Sequence, residues 1–140
     1  MDRYRELKHV FRQLRKKCPW DRKQTHLSLL TYLREEVREF TDSVKKRDYP
    51  EMCEELGDVL LQVYFHAQIA SEKKKFNIDD VYDVLIRKLK RRHPHVFGKT
   101  KANSVGEVIF HWKRIKDAEK RRKKGMRRRN RSKRSSRKSK

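Results

Sequence analysis

Apolar side chains in this 140-residue chain recur at intervals of three and four residues, which is the period of an amphipathic α-helix. Five stretches have this pattern, and none has the strict alternation of apolar and polar residues that predicts a half-buried β-strand. The connections between the stretches are short, so neighbouring helices should be mostly antiparallel. The sequence therefore predicts an all-α fold, an antiparallel helical bundle.

Capping residues and prolines predict where these helices begin and end. Side chains such as Thr, Asn, Asp and Ser accept hydrogen bonds from the first free amides of a helix. The residue before a proline disfavours helical backbone, so a helix tends to end there. The predicted limits are a loop at 19–24 before the N-cap Thr25, a turn at 48–50 before a third helix over about 51–71, an N-cap at Asn77 or Asp79, a stop at His93-Pro94, and a capping box from Ser104 to Glu107.

The second and third helices carry apolar stripes spaced for packing in a bundle. Counted along the whole chain, the apolar residues make a thin core for one copy, so we expect a homodimer formed through helix faces. The side chains expected to face inward are Leu30, Leu33, Val37, Phe40 and Val44 on the second helix, and Met52, Leu56, Val59, Leu60, Val63, Ala67 and Ala70 on the third.

Positive charge is concentrated at the carboxyl end. The chain has a net charge of +22, and residues 113–140 hold 17 Lys and Arg against two acids. Beyond Lys120 the only large apolar residue is Met126, a composition that favours disorder. We expect a folded domain at 1–118 and a disordered basic tail at 119–140. Such a tail would bind nucleic acid non-specifically or bind an acidic partner, and the affinity would depend strongly on salt.

Cysteine usage and the amino terminus bear on where the protein acts. Cys18 and Cys53 are too few for a disulfide scaffold and fit a reducing compartment. The first residues are charged throughout, unlike a signal peptide, and no stretch approaches the roughly 18 apolar residues of a membrane span. We expect a soluble, cytoplasmic protein without a membrane partner.

Two acidic clusters are the strongest indication of chemistry. Glu35, Glu36 and Glu39 lie on the second helix, and Glu55 and Asp58 lie on the third. The i,i+3 spacing of Glu36 to Glu39 and of Glu55 to Asp58 places each pair on one helix face. Carboxylates gathered between packed helices repel each other unless a cation lies among them. Hard oxygen ligands suit Mg²⁺ or Mn²⁺ better than Zn²⁺, so the sequence predicts a divalent metal site.

A basic cluster and two tryptophans are further candidates. The basic cluster lies near the end of the fourth helix and consists of Lys88, Arg91 and Arg92. Its partner could be a phosphate or the acidic clusters. Trp20 lies in the predicted loop, and Trp112 lies on the inner face of the last helix. Core packing and stacking on a nucleotide base both remain open for Trp112.

Four segments resemble the MazG family of all-α nucleoside triphosphate pyrophosphohydrolases. The acidic signature is common to a wider superfamily, whereas the CPWD and RRHPHVFG motifs are more specific to MazG proteins. Together with the SVGEVIFHWKRIK segment, the resemblance covers roughly residues 4–116. The matching segments are CPWDRKQTH at 18–26, YLREEVREF at 32–40, EELGDVLLQVYFHAQIA at 54–70 and KLKRRHPHVFG at 88–98.

The resemblance implies a MazG-like helical bundle, usually a homodimer, that converts an NTP or dNTP and water into the monophosphate and pyrophosphate. It implies a catalytic acidic group in which Glu35 is accessory. The sequence does not decide which carboxylate, if any, is the general base, and Glu35 and Glu36 are the candidates. The implied Mg²⁺ ligands are Glu36, Glu39, Glu55 and Asp58; the implied phosphate-binding residues are Lys88, Arg91 and Arg92; and the implied base-binding residues are Trp112 and Trp20.

Three alternatives compete with this interpretation. A MazG-like scaffold with little turnover could act as a nucleic-acid or protein-binding module through its basic tail. A di-iron or di-manganese carboxylate bundle would need two Glu-x-x-His pairs, and only Glu6 to His9 has that spacing. A dUTP-directed or phosphoribosyl-ATP-directed pyrophosphohydrolase would share the acids but not the CPWD and HPHVFG motifs.

Overall fold

The computed structural model describes residues 2–139, which fold entirely into helices and their connections. No β-strand occurs in that range, so the predicted all-α class is confirmed. The helices are α1 (Arg3–Lys17), α2 (Pro19–Lys23), α3 (His26–Lys46), α4 (Tyr49–Glu72), α5 (Ile78–Arg92), α6 (Pro94–Phe97) and α7 (Val105–Lys138).

Most of the predicted helix limits agree with the structure. The Thr25 hydroxyl accepts a hydrogen bond from the Ser28 amide at 3.1 Å, and the Ser28 hydroxyl accepts one from the Thr25 amide at 2.8 Å. Asp48 caps α4 through the Glu51 amide at 3.1 Å. The fourth predicted helix, α5, ends two residues before Pro94, as the backbone restriction before proline requires.

Two short helices differ from the sequence prediction. The predicted loop at 19–24 contains α2, because proline is favoured in the first turn of a helix, where its missing amide has no partner to lose. The same preference explains α6, which begins at Pro94 immediately after the predicted stop. Helices of five and four residues are too short to leave a periodic apolar pattern in the sequence.

Residues 119–138 form the second half of α7, whereas their composition predicts disorder. Lys and Arg lose little side-chain freedom in a helix, and no proline follows Pro94 to interrupt the backbone. Apart from Glu119 and Gly125, the residues of this half are exposed. It therefore extends the helix without adding a core, and the domain boundary after Ala118 stays a prediction.

The chain divides into two compact units, of which the first ends at Tyr82. Its core forms where α1 and α3 pack on the second half of α4. The ring of Phe11 lies 5.6 Å from that of Tyr64 and 6.1 Å from that of Phe65, measured between centroids. The buried core residues are Phe11, Leu29, Tyr64, Phe65, Ala67, Ile69 and Ile78.

Part of the predicted core is exposed. Ala67 and Ala70 are buried as expected, whereas other side chains of the same stripes remain open to solvent. The stripe shows which side of a helix is apolar, but α1 covers only the second half of α4. We call the open side chains the apolar face: Val37 (49% exposed) and Val44 (45%) on α3, and Leu56 (51%), Leu60 (43%) and Val63 (40%) on α4.

The second unit begins at Asp83 and contains the rest of α5, together with α6 and α7. Arg91 and Arg92 near the end of α5 form ion pairs with Glu119 of α7. Ser104 caps α7 by accepting a hydrogen bond from the Glu107 amide at 3.2 Å. None of the helices in residues 2–139 combines the length and apolar character needed to cross a membrane.

Candidate metal centre

The acidic clusters meet because α3 and α4 form a hairpin. Arg47 adopts a left-handed backbone with φ of 55°, and Asp48 starts α4 immediately afterwards. A two-residue connection of this kind returns the second helix alongside the first, and α3 packs along α4. The i,i+3 acids of each helix then face the same seam.

Three carboxylates converge there. Glu36, Glu39 and Glu55 each offer one oxygen atom, and the three oxygens lie within 4.8 Å of one another. Glu36 and Glu55 are half-buried, and Glu39 is exposed. The Oε2 atoms of Glu36 and Glu55 are inaccessible to solvent and have no hydrogen-bond partner in the described part of the chain. Buried carboxylate oxygens without partners are costly, so a positive ligand would stabilise the seam.

The electrostatics of the cluster agree with its geometry. The pKa of Glu55 is raised to about 6, first by burial, then by a side-chain hydrogen bond with Glu39 and by the charges of the neighbouring carboxylates Glu39, Asp58 and Glu36. Burial also raises the pKa of Glu36, followed by the charges of Asp58, Glu39 and Glu35. A divalent cation would relieve both effects, because it compensates the burial and the mutual repulsion together.

Asp58 and Glu35 lie at the margin of the three-carboxylate group. Both are half-buried, and both are near enough to raise the pKa of Glu36. Asp58 raises the pKa of Glu55 as well. The five predicted acids therefore occupy one region, with three of them close enough for shared coordination.

The donor set fits a hard divalent ion. It consists of carboxylate oxygens on two rigid helices, and two of the oxygens are buried without partners. Mg²⁺ and Mn²⁺ prefer such ligands, whereas Zn²⁺ prefers sites with Cys or His. Ion pairs within residues 2–139 use other carboxylates, among them Glu72, Asp79 and Glu119, so the cluster keeps its negative charge.

The basic cluster has a partner that the sequence did not indicate. Arg91 donates to Oε1 of Glu119, and Arg92 donates to its Oε2 at 2.9 Å. These hydrogen bonds lower the pKa of Glu119 to about 2, against a smaller opposing effect of burial. Glu119 lies 27 residues from Arg92, in the segment predicted to be a tail. The available signal was that it is the last acid of the chain.

Lys88 differs from the two arginines. It is half-buried on α5, and no carboxylate of the described residues lies within ion-pair distance of its ammonium group. Among the three predicted phosphate-binding residues, it is the one whose charge has no ion pair within residues 2–139.

Both predicted base-binding tryptophans are accessible. Trp20 is 50% exposed, and its ring meets Tyr32 edge-on with centroids 5.5 Å apart. Trp112 is 43% exposed on α7, with the Lys116 ammonium 6.0 Å from its ring centroid. Burial of Trp112 in the core of the chain, one of its two open interpretations, is therefore not observed.

A histidine pair escaped the sequence interpretation. The Nδ1 atoms of His26 and His66 lie 2.7 Å apart, and the rings stack with an 8° angle between their planes. Burial lowers the pKa of His66, and the charge of His26 lowers it further. The bond joins the start of α3 to α4 across 40 residues, so it supports the hairpin that carries the acids. Both histidines lie in segments that resemble the MazG family.

Comparison with known proteins agrees with this geometry. The family model of the MazG nucleotide pyrophosphohydrolase domain matches residues 24–97, which include all five acids and the basic cluster. The nucleoside triphosphate pyrophosphohydrolase/pyrophosphatase MazG of Thermotoga maritima is 49% identical over 126 residues, 89% of this chain and 48% of that protein. The nucleoside triphosphate pyrophosphohydrolase of Escherichia coli (strain K12) is 41% identical over 102 residues, 73% of this chain and 39% of that protein.

The chain thus spans less than half the length of these two curated relatives. Among solved structures, the crystal structure of a mazG-related protein from Thermotoga maritima has the same fold, with a TM-score of 0.70 and 28% identity. That alignment covers 81% of this chain and 98% of the other. Because the family model matches more than half of its residues, this chain belongs to the MazG nucleotide pyrophosphohydrolase domain family.

Proposed function

We propose that this protein is an enzyme that hydrolyses nucleoside triphosphates and deoxynucleoside triphosphates to the monophosphate and pyrophosphate, with Mg²⁺ as cofactor. The observation that carries the proposal is the group of Glu36, Glu39 and Glu55, whose oxygens lie within 4.8 Å of one another in a chain of the MazG family. Its biological role would be to clear or regulate nucleotide pools.

In this proposal Glu36, Glu39, Glu55 and Asp58 hold the metal, for which Mn²⁺ is a possible substitute. When bound, the ion supplies positive charge to phosphate oxygens and favours ionisation of water. Two oxygens without partners, on Glu36 and Glu55, support their assignment as ligands. The raised pKa of each fits a site whose charge is balanced by a cation.

The other site residues bind substrate and move a proton. Glu35, half-buried beside the cluster, and Glu36 are the candidates to accept the proton of the attacking water. Lys88 would contact phosphate directly. Arg91 and Arg92 are held by Glu119, so we assign them the same role with their guanidinium groups already oriented. Trp112 and Trp20 would stack on the base.

We propose that the working form is a homodimer. The apolar face on α3 and α4 exposes 40–51% of each of its side chains, a large uncovered surface for a small soluble protein. A second copy would cover it with the same surface, as a two-fold interface requires. Leu56→Glu with Leu60→Glu should give a monomer by light scattering, whereas Leu27→Glu, at an exposed leucine outside the face, should not.

We propose two further properties of the whole protein. The segment 119–140 would bind polyanions through its positive charge rather than take part in hydrolysis. The cytoplasm is the proposed place of action, because Cys18 and Cys53 are free thiols and a reducing compartment keeps them so.

The decisive experiment measures pyrophosphate release from a panel of NTPs and dNTPs, with Mg²⁺ and with EDTA. Glu55→Gln removes a proposed ligand, whereas Glu54→Gln changes an exposed carboxylate at the neighbouring position on α4. We expect metal-dependent release that Glu54→Gln retains and Glu55→Gln loses. Release that survives Glu55→Gln or EDTA would contradict the assigned site.

The alternative function is a scaffold with little turnover that acts through its basic segment. The full set of five acids, three of them converging, argues against loss of catalysis. Absence of pyrophosphate release from every nucleotide, in a protein that still binds polyanions, would favour this alternative.

A further inference from the structure

Eight cations lie along one side of α7, the helix from Val105 to Lys138. Positions separated by three or four residues share a helix face, because the helix repeats every 3.6 residues. At a rise of about 1.5 Å per residue, these positions cover about 38 Å of the helix. We call them the cationic stripe: Lys113, Lys116, Lys120, Lys124, Arg127, Arg131, Arg134 and Lys138.

Seven of the eight side chains of the stripe line two separate hollows on α7. Lys113, Lys116 and Lys120 line one shallow hollow on α7. Lys124, Arg127, Arg131 and Arg134 line another, further along the same helix. All eight residues of the stripe are exposed. The arrangement is therefore a row of positive charge with one cation about every turn, or about 5.4 Å.

Neutralisation within the chain does not remove this charge. After Glu119 the sequence contains no acid, and both oxygens of Glu119 already accept hydrogen bonds from Arg91 and Arg92. Within residues 2–139, the ion pairs formed by Lys and Arg involve other residues than those of the stripe. The stripe is therefore complementary to an extended anion whose charges repeat along its length.

We propose that the cationic stripe binds duplex DNA by lying in the major groove, without preference for base sequence. The major groove of B-DNA is about 12 Å wide and accepts a helix of about 10–12 Å diameter. Further cations flank the stripe on both sides and would face the two phosphate walls of the groove, among them Arg121, Lys123 and Arg128. Lys and Arg supply phosphate contacts, which carry affinity but no sequence information.

Other extended anions fit the helix less well. An amphipathic helix that enters a membrane surface needs a broad apolar face. After Lys120 the side opposite the stripe has Met126 as its one large apolar residue and carries three further cations, Arg122, Arg129 and Lys133. Single strands bind through stacking on aromatic rings, which are absent after Trp112. Duplex RNA has a deep, narrow major groove that excludes a helix.

This proposal rests on the polyanion binding proposed for segment 119–140, which it narrows to duplex DNA, and it is independent of the proposed hydrolysis. No residue of the cationic stripe belongs to the candidate metal centre or to the proposed nucleotide site. A catalytically inactive chain would still bind DNA, and an active one without the stripe would still hydrolyse nucleotides.

The test measures binding of the full chain to a labelled mixed-sequence DNA duplex of about 20 base pairs. Fluorescence anisotropy in about 0.1 M salt gives the affinity. One variant replaces Lys124, Arg127, Arg131 and Arg134 by glutamine. A matched control replaces four cations from other faces of the same helix by glutamine: Arg122, Arg129, Lys133 and Arg137. Both variants lose the same charge, and far-ultraviolet circular dichroism verifies that their helix contents are equal.

We expect the stripe variant to lose at least about tenfold more affinity than the control, and the slope of log affinity against log salt to fall by about 3 to 4. Equal losses in both variants would overturn the stripe as the binding surface. Tighter binding to a single strand, to duplex RNA or to phosphatidylserine vesicles than to duplex DNA would overturn the assigned partner.

Discussion

The candidate metal centre and the cationic stripe both gather like charges, but in different surroundings. At the seam of α3 and α4, two carboxylate oxygens are inaccessible to water and have no hydrogen-bond partner among residues 2–139. Burial is the main cause of the raised pKa of Glu36 and Glu55. Along the second half of α7 the cations are exposed, so water and salt screen their repulsion. Burial, not charge density alone, determines which region needs a ligand in the folded state.

The two regions should therefore select ligands differently. Buried oxygens held by two helices favour one small, hard cation of defined coordination. Exposed side chains with several rotatable bonds favour any regular array of phosphates and release counterions when they bind. We therefore expect the candidate metal centre to bind a specific metal ion and the cationic stripe to bind a polymer without sequence preference.

Salt should separate the regions most strongly. Raising salt from about 50 mM to about 200 mM should weaken DNA binding by about 10³ to 10⁵, the range for six to ten phosphate contacts. Turnover at saturating Mg²⁺ and nucleotide should change only several-fold, because the metal ligands are partly buried and less screened. Anisotropy and pyrophosphate release in the same salt series measure the two responses. Parallel losses would contradict the separation.

Substitution of one ligand should have the next largest effect. Glu36→Gln is expected to lower turnover by at least about 10²-fold, because even side chains that merely support metal ligands cost 10- to 100-fold. Helix content and DNA affinity should remain unchanged.

Deletion of residues 121–140 should have the opposite pattern, with near-normal turnover on free nucleotide and lost DNA binding. A large loss of kcat on deletion would show that the segment serves catalysis.

The pH dependence of stability should differ in sign between the cluster and the ion pair of Glu119. The pKa of Glu55 is higher in the folded state than its ordinary 4.5, so its proton stabilises the fold. In EDTA, this contribution should disappear as pH rises from about 4.5 through about 6, and added Mg²⁺ should restore stability at neutral pH. Urea unfolding at a series of pH values measures this dependence of the unfolding free energy on pH. Glu55→Gln should make the dependence weaker.

Glu119 provides the internal control for that measurement. Its pKa is lowered to about 2, so its contribution is present above pH 4.5 and should be lost as pH falls towards about 2. If Glu55→Gln has the same pH dependence of unfolding free energy between pH 4.5 and 6 as the unsubstituted protein, burial of the Glu55 carboxylate does not destabilise the fold.

Two helical glycines should show the smallest effects. A Cβ atom at Gly57 of α4 meets no atom within 4 Å, and one at Gly125 of α7 meets only the end of Arg129, at 4.0 Å. Alanine removes the helix penalty of glycine, so Gly57→Ala should raise the free energy of unfolding by about 0.5–1 kcal/mol. Gly125→Ala should raise helix content in α7 and leave the unfolding of the first unit unchanged. Lost turnover in a stable Gly57→Ala protein would reveal a ligand or second copy at that position.

Much of the fold could be predicted because its causes are local. The caps at Thr25 and Asp48 and the stop before Pro94 depend on residues within one turn of each other. Composition predicts disorder for 119–140 because it measures the lack of a core, whereas the helix over 119–138 also depends on backbone preferences that Lys and Arg satisfy. The short helices α2 and α6 lacked enough residues to show a period.

The acidic site was predictable in composition and not in arrangement. The i,i+3 spacing places Glu36 with Glu39 and Glu55 with Asp58, since one helix determines each pair. Which oxygens converge depends on the register of α3 against α4, and the three closest exclude Asp58.

The sequence by itself therefore determined the helical class, most helix ends and the acidic pairs, because each follows from residues within a few turns of one helix. The cationic stripe required the structure, because it depends on α7 continuing to Lys138. Only the tertiary structure decided which carboxylate oxygens are buried, which apolar residues remain uncovered and that Glu119 binds Arg91 and Arg92. These properties depend on contacts between residues far apart in the chain. A periodic pattern identifies the faces of a helix, but packing alone decides what each face meets.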